Sequence, residues 1–334
     1  MLLNARGKKF LSYYRPYLRL FIADMVCAFI VAAISLIFPL LTRYITNTVL
    51  VGSQSVQLDL IFRIGLVMVA LIFIELLCNF FITYKGHYMG VMMEHDMRNE
   101  LFSHYQKLSF SFYDEQKTGQ LMSRLTNDLF SLTELYHHGP EDVVISIIKF
   151  FGAFFILLSI NVPLTLIIFS ILPVMLVFAL YFNKKMGKAF KQNKERVGDI
   201  NARIEDNLSG IRVVKSFTSE GSEMEKFDVE NNRYVKSRKN SYRIMAYYHS
   251  GLNAFTTMIT VVVILAGSTF ISMKWILLGD LLTYLLYINN LTEPVKKLIN
   301  FTEQFQEGIT GFQRFMEIME VEPDIQDKPH AETH

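Results

Sequence analysis

Five polar side chains that could bind a ligand stand inside long apolar segments of this sequence. They are Glu75, Asn79, Lys149, Asn289 and Asn290. An unpaired charge at the centre of a bilayer costs about 2.5–3.5 kcal/mol on insertion scales, so such residues need a bundle interior, a partner or water. We therefore predict that these five residues line a pathway through a helix bundle. Glu75 and Lys149 are expected to pair with each other or to face water, and a structural pair and direct ligand contact both remain open.

Other reactive side chains are interpreted as structural. Asp24 lies near one end of the first apolar segment, and Cys27 and Cys78 lie within apolar segments. Cysteines in such positions act as small buried residues more readily than as a disulfide. The histidines lack the i, i+4 spacing of a helical metal site, so we expect no metal at His87, His95, His104, His137 or His138.

Two function classes are excluded by the sequence. The 334 residues contain no G-x-x-x-x-G-K-[ST] phosphate loop, whose backbone and lysine hold nucleotide phosphates. The chain is therefore expected to have no catalytic residues, to bind no cofactor itself and not to hydrolyse ATP. Its net charge of only +2 gives no reason to expect a nucleic-acid partner.

The apolar segments are long enough to cross a bilayer as helices. Hydrophobic residues make up 51% of the chain and its mean hydropathy is +0.27. Several runs approach or exceed the roughly 20 residues of a transmembrane helix, and they lack the alternation of a barrel strand. We predict an all-α membrane protein with six transmembrane helices, at about 17–44, 58–83, 141–160, 163–182, 245–271 and 275–293.

The positive charges predict the orientation of these helices. Of the 33 lysines and arginines, 29 lie before residue 20, in 84–140, in 183–244 or after residue 293. The three connections on the opposite side contain a single positively charged residue, Lys274. By the positive-inside rule, both termini are expected in the cytosol of a multi-pass protein of the plasma, or cell inner, membrane.

The cytosolic segments 84–140 and 183–244 read as continued helices. Apolar residues recur every three or four positions in 184–208 and 221–242, so the fourth helix is expected to run from Pro163 to about Leu208. Two antiparallel hairpins would then reach into the cytosol. An amphipathic interfacial helix is expected at 6–16, and the polar stretch 323–334 reads as a linker.

Three motifs carry a resemblance that covers essentially the whole chain. They are FYDEQKTGQLMSRLTND (112–128), NLSGIRVVKSFTSEGSEMEKF (207–227) and GDLLTYLLYINNLTEPVKKL (279–298) followed by GITGFQRFMEIMEVEPDI (308–325). In this order and spacing they resemble the two intracellular loops and the sixth helix of the transmembrane domain of ABC exporters with the type IV fold, the class that moves drugs, lipids and peptides.

The resemblance implies an architecture and a set of partners. Residues 1–322 would form the six-helix transmembrane domain of a domain-swapped dimer, with a homodimer favoured over a heterodimer. Residues 323–334 would lead toward an absent nucleotide-binding domain, where ATP and Mg²⁺ would bind. We expect this domain to belong to a longer protein rather than to be separately encoded. The domain would form a translocation pathway for a small molecule, lipid or peptide by alternating access.

The resemblance also assigns the hairpin tips a role. Apolar side chains at the most cytosolic point of a hairpin suit docking into a groove of a partner protein. The expected contacts to the ATPase domain are Phe112, Tyr113, Asp114, Gly210, Val213, Val214 and Phe217, and Gly210 is also expected to let the chain turn at the second tip.

Alternatives from other classes fit less well. An ion channel would need a re-entrant filter or an acidic ring, and a secondary transporter would show an internal repeat, neither of which is detectable. A membrane signalling or sensor module that transmits motion through its helical stalk without transport stays open as the second interpretation.

Overall fold

The computed structural model describes residues 2–50 and 54–324, and this part of the chain is helical without a β-strand. The all-α prediction is confirmed. The described part of the expected linker 323–334 ends at Asp324. The eleven α-helices of the described residues are α1 (Leu2–Ser12), α2 (Leu18–Tyr44), α3 (Gln54–Phe81), α4 (His87–Tyr105), α5 (Phe110–Glu115), α6 (Thr118–Ser123), α7 (Leu129–Ile160), α8 (Val162–Ser209), α9 (Ile211–Ser216), α10 (Glu220–Ser272) and α11 (Leu278–Met319).

Short irregular helical turns lie beside several of these helices. Three of them are π-helical, at Ile45–Val49, Ile82–Gly86 and Arg124–Asp128, and one is a 3₁₀ turn at Arg15–Tyr17. Single π-helical turns inside longer helices often mark functional positions, because they re-aim the side chains around them.

Within the described residues, five helical stretches are long and apolar enough to cross a membrane: Ala5–Val49, Leu58–Tyr105, Thr118–Ile160, Val162–Ser209 and Glu220–Ser272. The expected sixth span, within α11, is not among them. That helix carries Asp280, Asn289 and Glu293 and buries Tyr284 and Tyr287 within its own unit. A helix that packs mostly against protein does not need the uniform apolar surface that lipid requires. The sixth span therefore stays a prediction.

The chain divides into two compact units, one formed by residues up to Val162 and from Thr269 onward, the other by Pro163–Ser268. The second unit is a helical hairpin. Its arms α8 and α10 have 48 and 53 residues, which at 1.5 Å per residue measure about 70 and 80 Å. The prediction that the fourth helix continues far beyond a 30 Å hydrocarbon core is confirmed in length.

The two arms of the hairpin are held together by aromatic contacts at one level and by polar contacts at another. The ring of Phe178 lies 5.4 Å from that of Phe255. Further along, buried Asn193 donates its Nδ2 hydrogen to Ser241 Oγ at 2.7 Å and accepts a hydrogen bond from Ser237 Oγ at 2.6 Å. Because both ends of the Asn193 amide are satisfied, this buried polar group stabilises the pairing instead of weakening it.

The first unit has a methionine-rich core at the end of its helices. Met89, Met93 and Met97 follow one another at intervals of four on α4 and have no exposed surface. They share a cluster with Tyr136 of α7 and Phe315 of α11. The four-residue interval places the three methionines on one face, so α4 turns a continuous apolar stripe toward α7 and α11.

The N-terminal helix overlaps the segment 6–16, where an interfacial helix is predicted. Helix α1 covers Leu2–Ser12, and its aromatic side packs on protein. The ring of Phe10 stacks on Tyr136 at 4.3 Å and meets the edge of Phe312 at 5.2 Å, while Tyr13 is buried. The aromatic side chains therefore cover the end of the helix bundle, and an interfacial position of this helix stays a prediction.

Two glycines allow α7 and α11 to approach closely. A Cβ atom on Gly311 would lie 2.6 Å from the carbonyl oxygen of Asp128, and one on Gly308 would lie 2.7 Å from Leu135 Cβ. Small residues at such positions let helix backbones pack tightly in membrane proteins.

Substituting Gly311 by alanine should therefore lower the free energy of unfolding by about 1–3 kcal/mol, because a backbone oxygen cannot yield as a flexible side chain can. The matched control is Gly198→Ala on α8, where the added methyl meets nothing within 4 Å. That change should raise stability by up to about 1 kcal/mol through helix propensity. Thermal unfolding of the purified variants in detergent measures both effects, and equal melting temperatures would contradict the packing argument.

Candidate functional site

The first hairpin tip is helix α5, where the sequence predicts contacts by Phe112, Tyr113 and Asp114. The structure shows that two of these side chains contact their own unit, and their docking role stays a prediction. The half-buried ring of Phe112 packs against the methionine-rich core, and the hydroxyl of Tyr113 donates to the carbonyl of Tyr105 at 2.5 Å. These two residues therefore hold the tip onto its own unit. Asp114 is exposed, and the free apolar side chain is Phe110, which is 89% exposed.

The chain leaving α11 is fastened to the start of α5. Asp324 accepts hydrogen bonds from the hydroxyls of Ser109 and Ser111, at 2.6 and 3.0 Å. These bonds favour the charged carboxylate and lower the pKa of Asp324 below its usual range. Nearby in the sequence, Glu320 forms an ion pair with Arg6 at 2.5 Å. The C-terminal end of the described chain therefore touches both the first tip and the N-terminal helix.

The second hairpin tip, helix α9 between α8 and α10, exposes apolar side chains. Val213 is 61% and Phe217 is 77% exposed, while Val214 is half-buried. Beside them lies a cleft of about 230 Å³ between the ends of the two arms, lined by residues that include Arg203, Asn207, Ile211, Val214, Met224 and Phe227. A large apolar side chain that stays exposed at the end of a helix pair some 70 Å long is unusual for a solvated turn and suits a docking surface.

The turn at this tip does not depend on Gly210 in the way the sequence suggests. Gly210 has φ −91° and ψ 11°, values that other residues adopt, although a Cβ there would lie 3.2 Å from the Asp206 carbonyl oxygen. The left-handed residue is Thr218, with φ 49°, directly after Phe217. Thr218 therefore makes the reversal that presents Phe217, and Lys215 supports it by pairing with Glu220 at 2.8 Å.

Among the polar residues within apolar segments, Lys149 has a partner that differs from the one expected. Its Nζ on α7 donates to Glu293 Oε2 on α11 at 3.0 Å, not to Glu75. One level along the same helix pair, Lys297 of α11 donates to Asp142 of α7 at 2.7 Å. The antiparallel helices α7 and α11 thus carry two ion pairs of opposite polarity, and the sequence analysis did not include Glu293 among the candidate residues.

The other predicted pathway residues fall into two groups. Asn290 is buried and donates its Nδ2 hydrogen to the carbonyl of Ser35 on α2 at 3.1 Å, which is a contact between helices. Glu75 is half-buried on α3, and Asn79 and Asn289 are exposed on the surface of the first unit. The side chains of Asn79 and Asn289 are therefore free to contact a ligand or another part of the protein, whereas Asn290 lies in the interior of the first unit.

A family model described as the ABC transporter transmembrane region matches residues 21–295 of this chain. The chain belongs to this family. Its match covers both hairpin tips and all of the predicted membrane helices except the first four residues of the first one, and it leaves residues 1–20 and 296–334 outside.

Relatives of this ABC transmembrane domain are ABC transporter proteins. A Bacillus subtilis protein named "Uncharacterized ABC transporter ATP-binding protein YwjA" is 41% identical over 97% of this chain and 56% of the relative. The ATP-dependent lipid A-core flippase of Syntrophus aciditrophicus is 25% identical over 97% of this chain and 53% of the flippase. The chain thus spans about half the length of these relatives.

One polar cluster of this ABC transmembrane domain was missed in the sequence analysis. Buried Asp280, near the start of α11, accepts hydrogen bonds from Arg43 Nε at 2.6 Å and Asn47 Nδ2 at 2.9 Å. Asn47 in turn accepts a hydrogen bond from the Gly279 amide at 3.0 Å. The cluster ties the end of α2 to the start of α11. Its only sequence signal is a Gly-Asp pair at a helix start, which many unrelated helices share.

Proposed function

We propose that this domain forms the translocation pathway of an ATP-driven exporter and receives force from ABC ATPase domains through its two cytosolic tips. The observation that carries the proposal is the exposed apolar surface of α9, with Val213 and Phe217, at the end of arms too long for a bilayer. An ATPase outside the membrane needs rigid levers, and a helix pair of this length provides one.

The partners follow from the family and from the length of the relatives. Two copies of the chain would enclose the pathway, with a homodimer favoured. ATP and Mg²⁺ would bind to nucleotide-binding domains that continue from the chain after α11, and the chain itself would remain without ATPase activity. The substrate would be a small molecule, a lipid or a peptide that contacts Glu75, Asn79, Lys149, Asn289 or Asn290.

The proposal also includes the orientation. The concentration of lysine and arginine in 84–140 and 183–244 supports a cytosolic position for both tips and both termini, in the plasma or inner membrane. The exposed tip of α9 would then lie in the cytosol and the connection after α10 outside.

The experiment that tests the function is transport by the transporter that carries its nucleotide-binding domain, reconstituted in sealed vesicles with a panel of drugs, lipids and peptides. Export predicts substrate-stimulated ATP hydrolysis together with uptake into inside-out vesicles. The sensor alternative predicts nucleotide-dependent motion of the tips without net uptake of any substrate class. In the same vesicles, cysteines placed at Ser216 and at Met273 should react with an impermeant thiol reagent from opposite sides, and labelling from one side would contradict the orientation.

A further inference from the structure

Ionisable side chains from three helices meet in the interior of the first unit, away from the two tips. Helix α2 contributes Asp24, α7 contributes His137, His138 and Glu141, and α4 contributes His87 at its first residue. Asp24 is 1% and His137 is 2% exposed. The sequence analysis dismissed these histidines because it considered the spacing along one helix, whereas the cluster arises from packing between helices.

Five buried polar atoms of Asp24, His137 and Glu141 lack hydrogen bonds to any described residue. His137 Nδ1 lies 3.7 Å from Asp24 Oδ2, and His137 Nε2 lies 3.7 Å from Glu141 Oε2, distances too long for a hydrogen bond. Seven buried side-chain polar atoms have no partner in the described part of the chain, and five of them belong to Asp24, His137 and Glu141. Buried polar atoms are nearly always satisfied in folded proteins, so this concentration points to a missing ligand.

The charges point to a cation. Among the described residues, the ion-pair partners of Asp24 and Glu141 are histidines only, and the nearby Lys297 is engaged with Asp142. Two carboxylates in a buried site are unfavourable unless they are paired or coordinate a metal. A divalent cation would neutralise both carboxylates at once and leave the imidazole neutral, which is the form that binds metals.

The donor atoms select the class of cation. One ligand atom from each of Asp24, His137 and Glu141 lies within 4.8 Å of the other two. Zinc bonds of about 2.0–2.1 Å in a tetrahedron place ligand atoms roughly 3.3–3.4 Å apart, so side-chain movements of about 1 Å would close the site. Calcium and magnesium prefer sites made of oxygen alone, and soft cations prefer sulfur, whereas mixed imidazole and carboxylate donors suit a divalent transition metal such as zinc.

The backbone around the cluster makes room for this arrangement. The π-helical turn Ile82–Gly86 ends directly over it, and a Cβ on Gly86 would lie 2.8 Å from His137 Nδ1 and 2.9 Å from Asp24 Oδ1. Any residue other than glycine would push the two donors apart. At the rim, the His87 ring lies 4.6 Å from that of His137 and 5.0 Å from that of His138, and its exposure gives a cation a way in.

We propose that Asp24, His137 and Glu141, with His138 as a fourth donor, form a binding site for a resident divalent transition-metal ion of the zinc class. The ion would fasten α2 to α7 beside the π-helical turn that precedes α4. The site does not depend on the proposed transport function, because it is built from residues outside both tips.

The test is zinc binding by the purified chain in detergent, prepared with an affinity tag that contains no histidine and stripped with a chelator. Titration with Zn²⁺ should load one ion per chain, counted by elemental mass spectrometry, and should raise the melting temperature. The double variant D24N/E141Q keeps the side-chain volumes and removes both charges. It should bind zinc at least about 100-fold more weakly. Loss of a residue that only hydrogen-bonds to a metal ligand already lowers metal affinity by up to about 100-fold, and here two ligands are lost.

The controls separate coordination from folding. D142N alters a neighbouring carboxylate that pairs with Lys297, and H95A removes an exposed histidine of α4, so both should bind zinc as the unaltered chain does. Without metal, D24N/E141Q should melt no lower than the unaltered chain, because it replaces two unpaired buried charges. Equal zinc loading of D24N/E141Q and the unaltered chain would overturn the site. A melting temperature of the unaltered chain that responds to pH but not to Zn²⁺ or Co²⁺ would also overturn it and assign the cluster to protons.

Discussion

Replacing Val213 and Phe217 together by serine, in the transporter that carries its nucleotide-binding domain, should reduce transport by about 30-fold while the protein folds normally. Both side chains are largely exposed on α9, so their loss leaves the core intact and should change stability by no more than about 0.5 kcal/mol. If they anchor the tip in a groove of the ATPase, removing two apolar anchors costs roughly 2 kcal/mol of docking free energy, which corresponds to that factor.

The measurement is substrate uptake and ATP hydrolysis in the same vesicles. Hydrolysis should continue while uptake falls, because the ATPase keeps its catalytic residues and loses only its contact with the lever. Exposed Met224 lies close to the same tip on α10, in the wall of the cleft, and Met224→Ser is a matched control for a general loss of apolar surface. Normal uptake by the Val213 and Phe217 variant at normal expression would refute docking through α9.

At the first tip, substitutions of two phenylalanines in α5 test docking and folding separately. Phe110→Ala removes a ring that is free of the core and should reduce transport without changing the melting temperature. Phe112→Ala removes a ring packed on the methionine-rich core and should lower the melting temperature. The sequence predicts the opposite for Phe112, since a motif identifies which residues recur at a tip but not which of two neighbours points inward.

The lengths and types of the helices could be predicted because they depend on local pattern. The run from Pro163 to Leu208 holds apolar residues at helical intervals, and α8 spans Val162–Ser209 accordingly, continuing through Pro173. The same local rules identify α9 as a turn between two arms. These rules fail at Gly210. Glycine can adopt a left-handed conformation but does not have to, and in this turn the left-handed residue is Thr218.

Pairings between helices could not be predicted, since they depend on rotation about the helix axes. Glu75 and Lys149 were expected to pair because both are charged residues within apolar segments, but position along a helix does not fix which face of α7 meets which neighbour. The structure turns Lys149 toward α11. The same limit hid the cluster of Asp24, His137 and Glu141, where residues more than 100 positions apart meet only because α2 and α7 pack together.

The ion pair between Lys149 and Glu293 should have a coupling free energy of about 2 kcal/mol in a double-mutant cycle. Lys149→Met leaves the Glu293 carboxylate unpaired at membrane depth, and Glu293→Gln leaves the ammonium unpaired. Breaking a fully buried pair costs about 3–5 kcal/mol, but the Glu293 side chain is 42% exposed against 15% for Lys149, so a smaller value is expected. The double variant should regain most of the stability that each single variant loses.

The control cycle uses Arg63 and Asp59 on α3, an i, i+4 pair at 2.9 Å whose side chains are both exposed, and its coupling should not exceed about 0.5 kcal/mol. Unfolding in detergent measures stability, and uptake in vesicles measures the range of substrates. A coupling near zero for Lys149 and Glu293 would contradict the pairing. If the double variant regains stability and transports an unchanged range of substrates, Lys149 is a structural residue of the α7–α11 contact and is not part of the pathway. If the double variant regains stability but transports an altered range of substrates, the charge of Lys149 contacts the substrate.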